Sequence, residues 1–226
     1  MLITKGSMIE DLIKRTHTDY FYQNCDFKLE SFNFKTSDNT VEMIFSINQT
    51  SYDIPIEHEE WKITCRNTEK YNGFFWNILL PYTKLKILDK HPALLLYNHN
   101  ELECEIIGVP QDINQFIADI SMILERETGN WITVTDILWN SEEHYKLFNK
   151  RNICIPKLIG KPIKEVCAKH NLILKVTYEV TGEDKRYAHK QKSKILIFGN
   201  EDVSPNDFYL NQPYVIAENF TAERII

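Results

Sequence analysis

Glu57-His58-Glu59-Glu60 sets an imidazole among three carboxylates, the donor types that bind a divalent metal or raise a histidine pKa for general-base work. In an extended backbone His58 and Glu60 share one face while Glu57 and Glu59 point to the other. That leaves two ligands where a closed zinc site takes four. A helical reading fails as well, because His58-Glu59-Glu60-Trp61-Lys62 has lysine where a zincin helix needs its second histidine. The segment therefore reads as structure. The remaining histidines, His17, His91, His99, His144, His170 and His189, are isolated; His91 and His99 fall at opposite ends of one expected strand, and His170 lies near a helix end where a cation is favoured.

The five cysteines, Cys25, Cys65, Cys104, Cys154 and Cys167, are odd in number and never closer than 13 positions. This fits no zinc ribbon, CxxC pair or disulfide framework, and Cys65, Cys104 and Cys167 sit in apolar patterns as small core residues. Seven glycines are spread no closer than the 17 positions between Gly182 and Gly199. Motifs that need two nearby glycines to cradle a phosphate or strain a nucleophile are thereby excluded: the Walker loop, the dinucleotide fingerprint, the kinase loop and the serine-hydrolase elbow. No catalytic residue, metal ligand or cofactor is assigned. The reading leans away from an enzyme, although a site assembled from distant residues stays open.

Charge is the one compositional signal with functional content. Residues 1–131 hold 12 Lys and Arg against 20 Asp and Glu, and residues 132–226 hold 14 against 12. Within the second part, residues 146–194 hold 13 basic and 4 acidic residues. Such a segment can attract phosphate backbones or an acidic protein surface, with Lys185, Arg186, Tyr187, Lys190, Lys192 and Lys194 as its candidate contacts. Its other reading is a solvated face, since Lys190, Lys192 and Lys194 alternate as on a protected edge strand. A third is docking onto the acidic half of the same chain. Glu101, Glu103 and Glu105 lie on one face of an expected strand and are the candidate contacts for a basic partner, or else keep that sheet soluble.

The elements that must position these residues follow from periodicity. Ser7-Met8-Ile9-Glu10 is a capping box opening a helix to about Thr16. Phe27 to Phe34, a Thr36-Ser37-Asp38-Asn39 turn and Val41 to Ile47 form a hairpin, with a bulge near Ser31 where the apolar phase shifts. Trp61, Ile63 and Cys65 continue as a third strand, and Tyr71 to Tyr82 is irregular. Leu94 to Tyr97 is expected as a strand, turning at Asn98-His99-Asn100 into a return strand with Leu102, Cys104 and Ile106 inward. Pro110 opens a helix with Ile113, Phe116, Ile117, Ile120 and Leu124 on one stripe, ended by Gly129. A helix begins near Asn140-Ser141-Glu142-Glu143, Arg151 to Pro156 is a linker, and Pro162 starts a short helix. Leu172 to Val180 and Ile195 to Phe198 are strands, Ser204-Pro205-Asn206-Asp207 is a turn, and the end is irregular. The fold class is α+β: an antiparallel meander sheet packed by helices over 1–139, followed by a smaller basic αβ unit over 140–226.

Ile155-Pro156-Lys157-Leu158-Ile159-Gly160-Lys161-Pro162, continuing to Val166 and Leu172, resembles the opening of a PASTA module over about 20 residues. The shared part is a turn-into-helix device in which Gly160 frees the backbone and Pro162 fixes the first helical residue; no ligand is carried over.

With 43% apolar and 12% aromatic residues the chain buries one large core or two modest ones. Its longest apolar runs fall far short of the roughly 20 residues a membrane helix needs, so no membrane partner is expected. Met1 to Gly6 lacks a secretory apolar stretch, which points to the cytoplasm. The expected function is non-enzymatic binding of another macromolecule, a protein first, as in an adaptor, regulator or immunity-type protein. The alternatives are nucleic-acid binding through 146–194 and an enzyme of unrecognised type.

Overall fold

The computed structural model describes residues 8–49, 59–75, 78–80, 82–98, 101–138, 149–181, 192–205 and 212–225. Ser7 of the capping box, His58, the turn at His99-Asn100, the helix expected from Asn140, and Asn206-Asp207 lie outside the described residues. In chain order the elements are α1 (Met8–Thr16), α2 (Asp19–Asn24), β1 (Cys25–Lys35), β2 (Thr40–Gln49), β3 (Glu59–Asn72), β4 (Leu79–Leu80) and β5 (Leu85–Leu88). Then come β6 (Glu101–Ile107), α3 (Ile113–Thr128), α4 (Val134–Ile137), β7 (Lys150–Pro156), α5 (Lys157–Lys169) and β8 (Ile173–Glu179). The last two are β9 (Lys194–Phe198) and β10 (Tyr214–Arg224). The chain is α+β, with two antiparallel sheets.

Two compact units form, 1–90 with 192–226, and 91–191. This differs from the division expected at 139/140, because the last strand returns to the first sheet: β10 pairs with β3 from Tyr214↔Asn72 to Arg224↔Trp61. The end expected to be irregular is thus a strand in the middle of the sheet order β4-β1-β2-β3-β10-β9-β5. Tyr214 to Ala217 are all buried, so this stretch shows no alternation to read.

In the first unit the hairpin forms as the pattern predicts. Val41, Met43, Phe45 and Ile47 are all at most 2% exposed. The β1–β2 register shifts between Leu29 and Ser31, where the change of apolar phase implies a bulge, and this sets Phe32 and Phe34 opposite Met43 and Val41. Phe27 is the hub of the core, with ring centroids 5.5 Å from Phe21, 5.6 Å from Phe45 and 6.5 Å from Phe198.

In the second unit β7, β6 and β8 form a three-stranded sheet, and α3 and α5 share one core with it. α3 has the expected apolar stripe; Asp112 caps its first turn by accepting from the Gln115 N–H, and Gly129 closes it at φ 59°. Three expectations give way here. Leu94 to Tyr97 is not a strand: Pro92–Leu94 makes a 3-10 turn, and His91 Nδ1 accepts from the Ala93 N–H. Arg151 to Pro156 is not a linker but β7, whose buried Ile153 and Ile155 face the helices. α5 begins at Lys157, five residues before Pro162, so the PASTA-like stretch is strand and helix rather than a glycine turn. Pro162 is tolerated inside α5 because the carbonyl it fails to bond belongs to exposed Leu158. Gly160 marks a close approach of α5 to β6: a Cβ there would lie 2.7 Å from Leu102 Cδ1, so that side chain would have to move.

Replacing Phe27 by alanine removes the shared wall of three aromatic contacts and should destabilise the first unit by about 3–5 kcal/mol. Urea unfolding followed by tryptophan fluorescence measures this; a loss below about 1 kcal/mol would mean the core does not centre on Phe27.

Candidate functional site

α1 carries Glu10 and Asp11 in its first turn and Lys14 and Arg15 in its last, matching the helix dipole, and buries Ile9 and Leu12 in the sheet core. Its C-terminal end is tied to the rim of the sheet. Thr16, fully buried, donates its hydroxyl to the Ile13 carbonyl at 2.8 Å and accepts from the Leu85 N–H at 3.1 Å. His17 Nε2 lies 2.9 Å from the Leu85 carbonyl. A carbonyl can only accept, so Nε2 carries the hydrogen and the tautomer is fixed. Both backbone groups of Leu85 are thus taken by side chains at the end of α1 and on the residue after it.

Beside this tie lies an open groove of about 560 Å³ between α1 and the β5, β9 and β10 end of the sheet. Ile9, Ile13, Ile87 and Phe220 give it apolar walls; Glu10, Lys86, Lys194 and Glu218 give it a polar rim. Two of the four rim charges already have partners: Lys86 pairs with Glu201, and Asn67 Nδ2 donates to Glu218 at 2.7 Å. Lys194 and Glu10 are exposed and have no ion-pair partner among the described residues.

Of the candidate contacts for an anionic partner, the structure brings only Lys194 to this groove. Lys192 is also exposed, while Lys185, Arg186, Tyr187 and Lys190 lie outside the described residues. The acidic row on β6 is engaged within its own sheet. Glu101 is only 1% exposed, and Cys154 Sγ approaches its carboxylate at 3.3 Å, so Glu101 is not on the surface as expected. Glu105 pairs with Lys150 at 2.6 Å and faces Lys175 across the β6–β8 ladder; Glu103 is half-buried opposite Tyr178. Basic residues of 146–194 therefore neutralise acidic residues of the same unit. Counted by unit, 1–90 with 192–226 carries 14 basic against 18 acidic residues and 91–191 carries 12 against 14. The polarity seen along the chain does not separate the two units.

Two ionic clusters resemble active-site chemistry and are anchored structurally. Glu59 is 6% exposed and held by Arg15, by Trp61 Nε1 at 3.1 Å and by Arg224 at 3.8 Å, joining α1, β3 and β10. Burial alone would raise its pKa, but the Arg15 and Trp61 hydrogen bonds and the two guanidinium charges hold the carboxyl below its ordinary range. Asp119 on α3 accepts from Lys169 at 2.6 Å, lies 2.8 Å from His170 Nε2 and accepts from Gln115 at 3.0 Å. The Lys169 bond first, then those of His170 and Gln115, drive its carboxyl well below the usual range. Neither cluster opens onto the groove. Among the described residues no three or more His, Cys, Asp or Glu are grouped to hold a metal ion, and no helix is long and apolar enough to cross a membrane.

Sequence reasoning reached Lys194 but not its companions. His17 stands isolated in the sequence, and nothing in its spacing announces Leu85, 68 positions away. Compared with protein families, curated proteins and solved structures, the chain matches none.

Thr16→Val keeps the shape but leaves the buried Leu85 N–H without its acceptor, and should cost about 1–3 kcal/mol in chemical unfolding; an unchanged midpoint would mean that water replaces the hydroxyl. Glu59→Gln should cost about 2 kcal/mol at pH 7. Because the folded carboxyl is depressed, its stabilisation is present above the unfolded pKa of about 4.3 and is lost as pH falls through the folded value. The difference between wild type and variant should therefore shrink on acidification below about pH 4, and a difference independent of pH would refute the ionic account.

Proposed function

We propose that this chain is a non-enzymatic protein that binds another protein, and that the groove beside α1 is where it does so. The observation that carries the reading is the make-up of that groove: apolar walls of Ile9, Ile13, Ile87 and Phe220 under a rim where Lys194 and Glu10 are exposed and unengaged. An apolar centre inside a polar rim is the usual anatomy of a protein interface. Lys150, Lys157 and Lys169 pair with Glu105, Glu179 and Asp119 within their own unit, which counts against a purely phosphate-facing role for these three lysines. All five cysteines are free thiols, which fits a reducing compartment, and we assign the protein to the cytoplasm. Adaptors, regulators and immunity-type proteins work in this manner.

A photo-crosslinking residue at position 194, expressed in the native cell, should yield one protein adduct of fixed mass. The same residue at position 35, at the end of β1, should yield none. In parallel, random-sequence DNA and RNA should show no association at low salt. A nucleic-acid adduct at position 194, or no adduct at all, would overturn the reading.

A further inference from the structure

We propose that the outer edge of β5 accepts an extended segment of a partner protein as an added strand, with an apolar side chain of that segment seated in the groove and a carboxylate two residues from it on Lys194. This rests on the reading of the groove as a protein-binding site and gives it a mode and a ligand chemistry.

Among the described residues β5 ends the sheet, with β9 on one side of it and no strand on the other. Leu85 shows which way its edge points: its N–H and C=O run away from β9 to Thr16 and His17. In an antiparallel ladder the backbone groups of alternate residues face the same side, and Leu85 and Ile87 lie opposite Phe198 and Leu196 without a register shift. Ile87 therefore directs its N–H and C=O outward beside the groove, and no backbone hydrogen bond to a residue outside the ladder satisfies them among the described residues. An edge that is capped at one residue and open at the next, next to an apolar recess, has the form used for strand addition.

The pleat fixes the chemistry of the incoming segment. A residue paired with Ile87 projects its side chain to the same face as Ile87, which is the face on which Ile13 and Phe220 line the groove. Lys194 rises from that face too, two residues before Leu196, the partner of Ile87. A large apolar residue with Asp or Glu two positions away, on the same face of the added strand, meets both demands. A second copy of this chain fits poorly, since both β5 edges would already be blocked at Leu85 by their own Thr16 and His17.

The test uses the full chain and a phage-displayed library of random twelve-residue peptides. Enriched peptides should share an apolar anchor with an acidic residue two positions away. On binding, the Ile87 amide should become protected from hydrogen exchange while exposed loop amides do not. Lys194→Glu should weaken the enriched peptides about tenfold. Ile87→Pro, which deletes an outward N–H without touching the β5–β9 ladder, should abolish binding; amide exchange in the wild-type protein keeps the test valid should that variant fold poorly. Peptides that bind and respond to Lys194→Glu yet leave the Ile87 amide unprotected would overturn strand addition and spare the groove. No enrichment, or Ile87 protection that rises with protein concentration alone, would overturn the proposal, the latter in favour of a second copy.

Discussion

The pairing of β10 with β3 is the constraint on which the first unit depends. It joins residues more than 140 positions apart, from Tyr214↔Asn72 to Arg224↔Trp61, and fixes where everything beyond it goes. Among the described residues β9 pairs only with β10 and β5, and β5 only with β9, so β10 is what joins both to the sheet. α1 lies against β10 and β5, and its Thr16 and His17 tie down Leu85. The groove is thus a product of the last strand, assembled from the two ends of the unit. Pairing this distant must overcome loop-closure entropy.

Ionic contacts follow the same division of labour. Glu59 is worth holding in ionised form because α1, β3 and β10 converge on it through Arg15, Trp61 and Arg224. In the second unit Asp119 binds α3 to the end of α5 through Lys169 and His170, and Lys150 quiets Glu105 across neighbouring strands. These pairs use up charges that, along the chain, look like two poles. What remains open at the groove is small and specific: Lys194, Glu10 and the edge of Ile87.

Local patterns were readable wherever one face of an element meets the core and the other meets water. The β1–β2 hairpin, its bulge, the inward set Leu102, Cys104 and Ile106, and α3 between Asp112 and Gly129 all declare themselves by period and cap. Elements that break that rule are not legible in the sequence. β10 is buried on both faces through Tyr214 to Ala217, and its register with β3 then shifts between Ile216 and Ala217, so no single phase runs through it. β7 looks like a linker because Arg151 takes an inward position and Pro156 closes it. α5 hides its first turns because Pro162 lies inside it.

The sequence by itself determined the α+β class, the hairpin and helix surfaces and the absence of paired-glycine phosphate loops, because those depend on residue types within a few positions of one another. Tertiary structure alone decided that the unit 91–191 is inserted into the other, that Glu101 is buried rather than presented, and that Lys194 shares a groove with Ile87 and α1. The physical reason is that strand partnership is a contest among edges. Any apolar strand can satisfy another's backbone, and only the summed fit of bulges, buried faces and ion pairs selects β10 for β3.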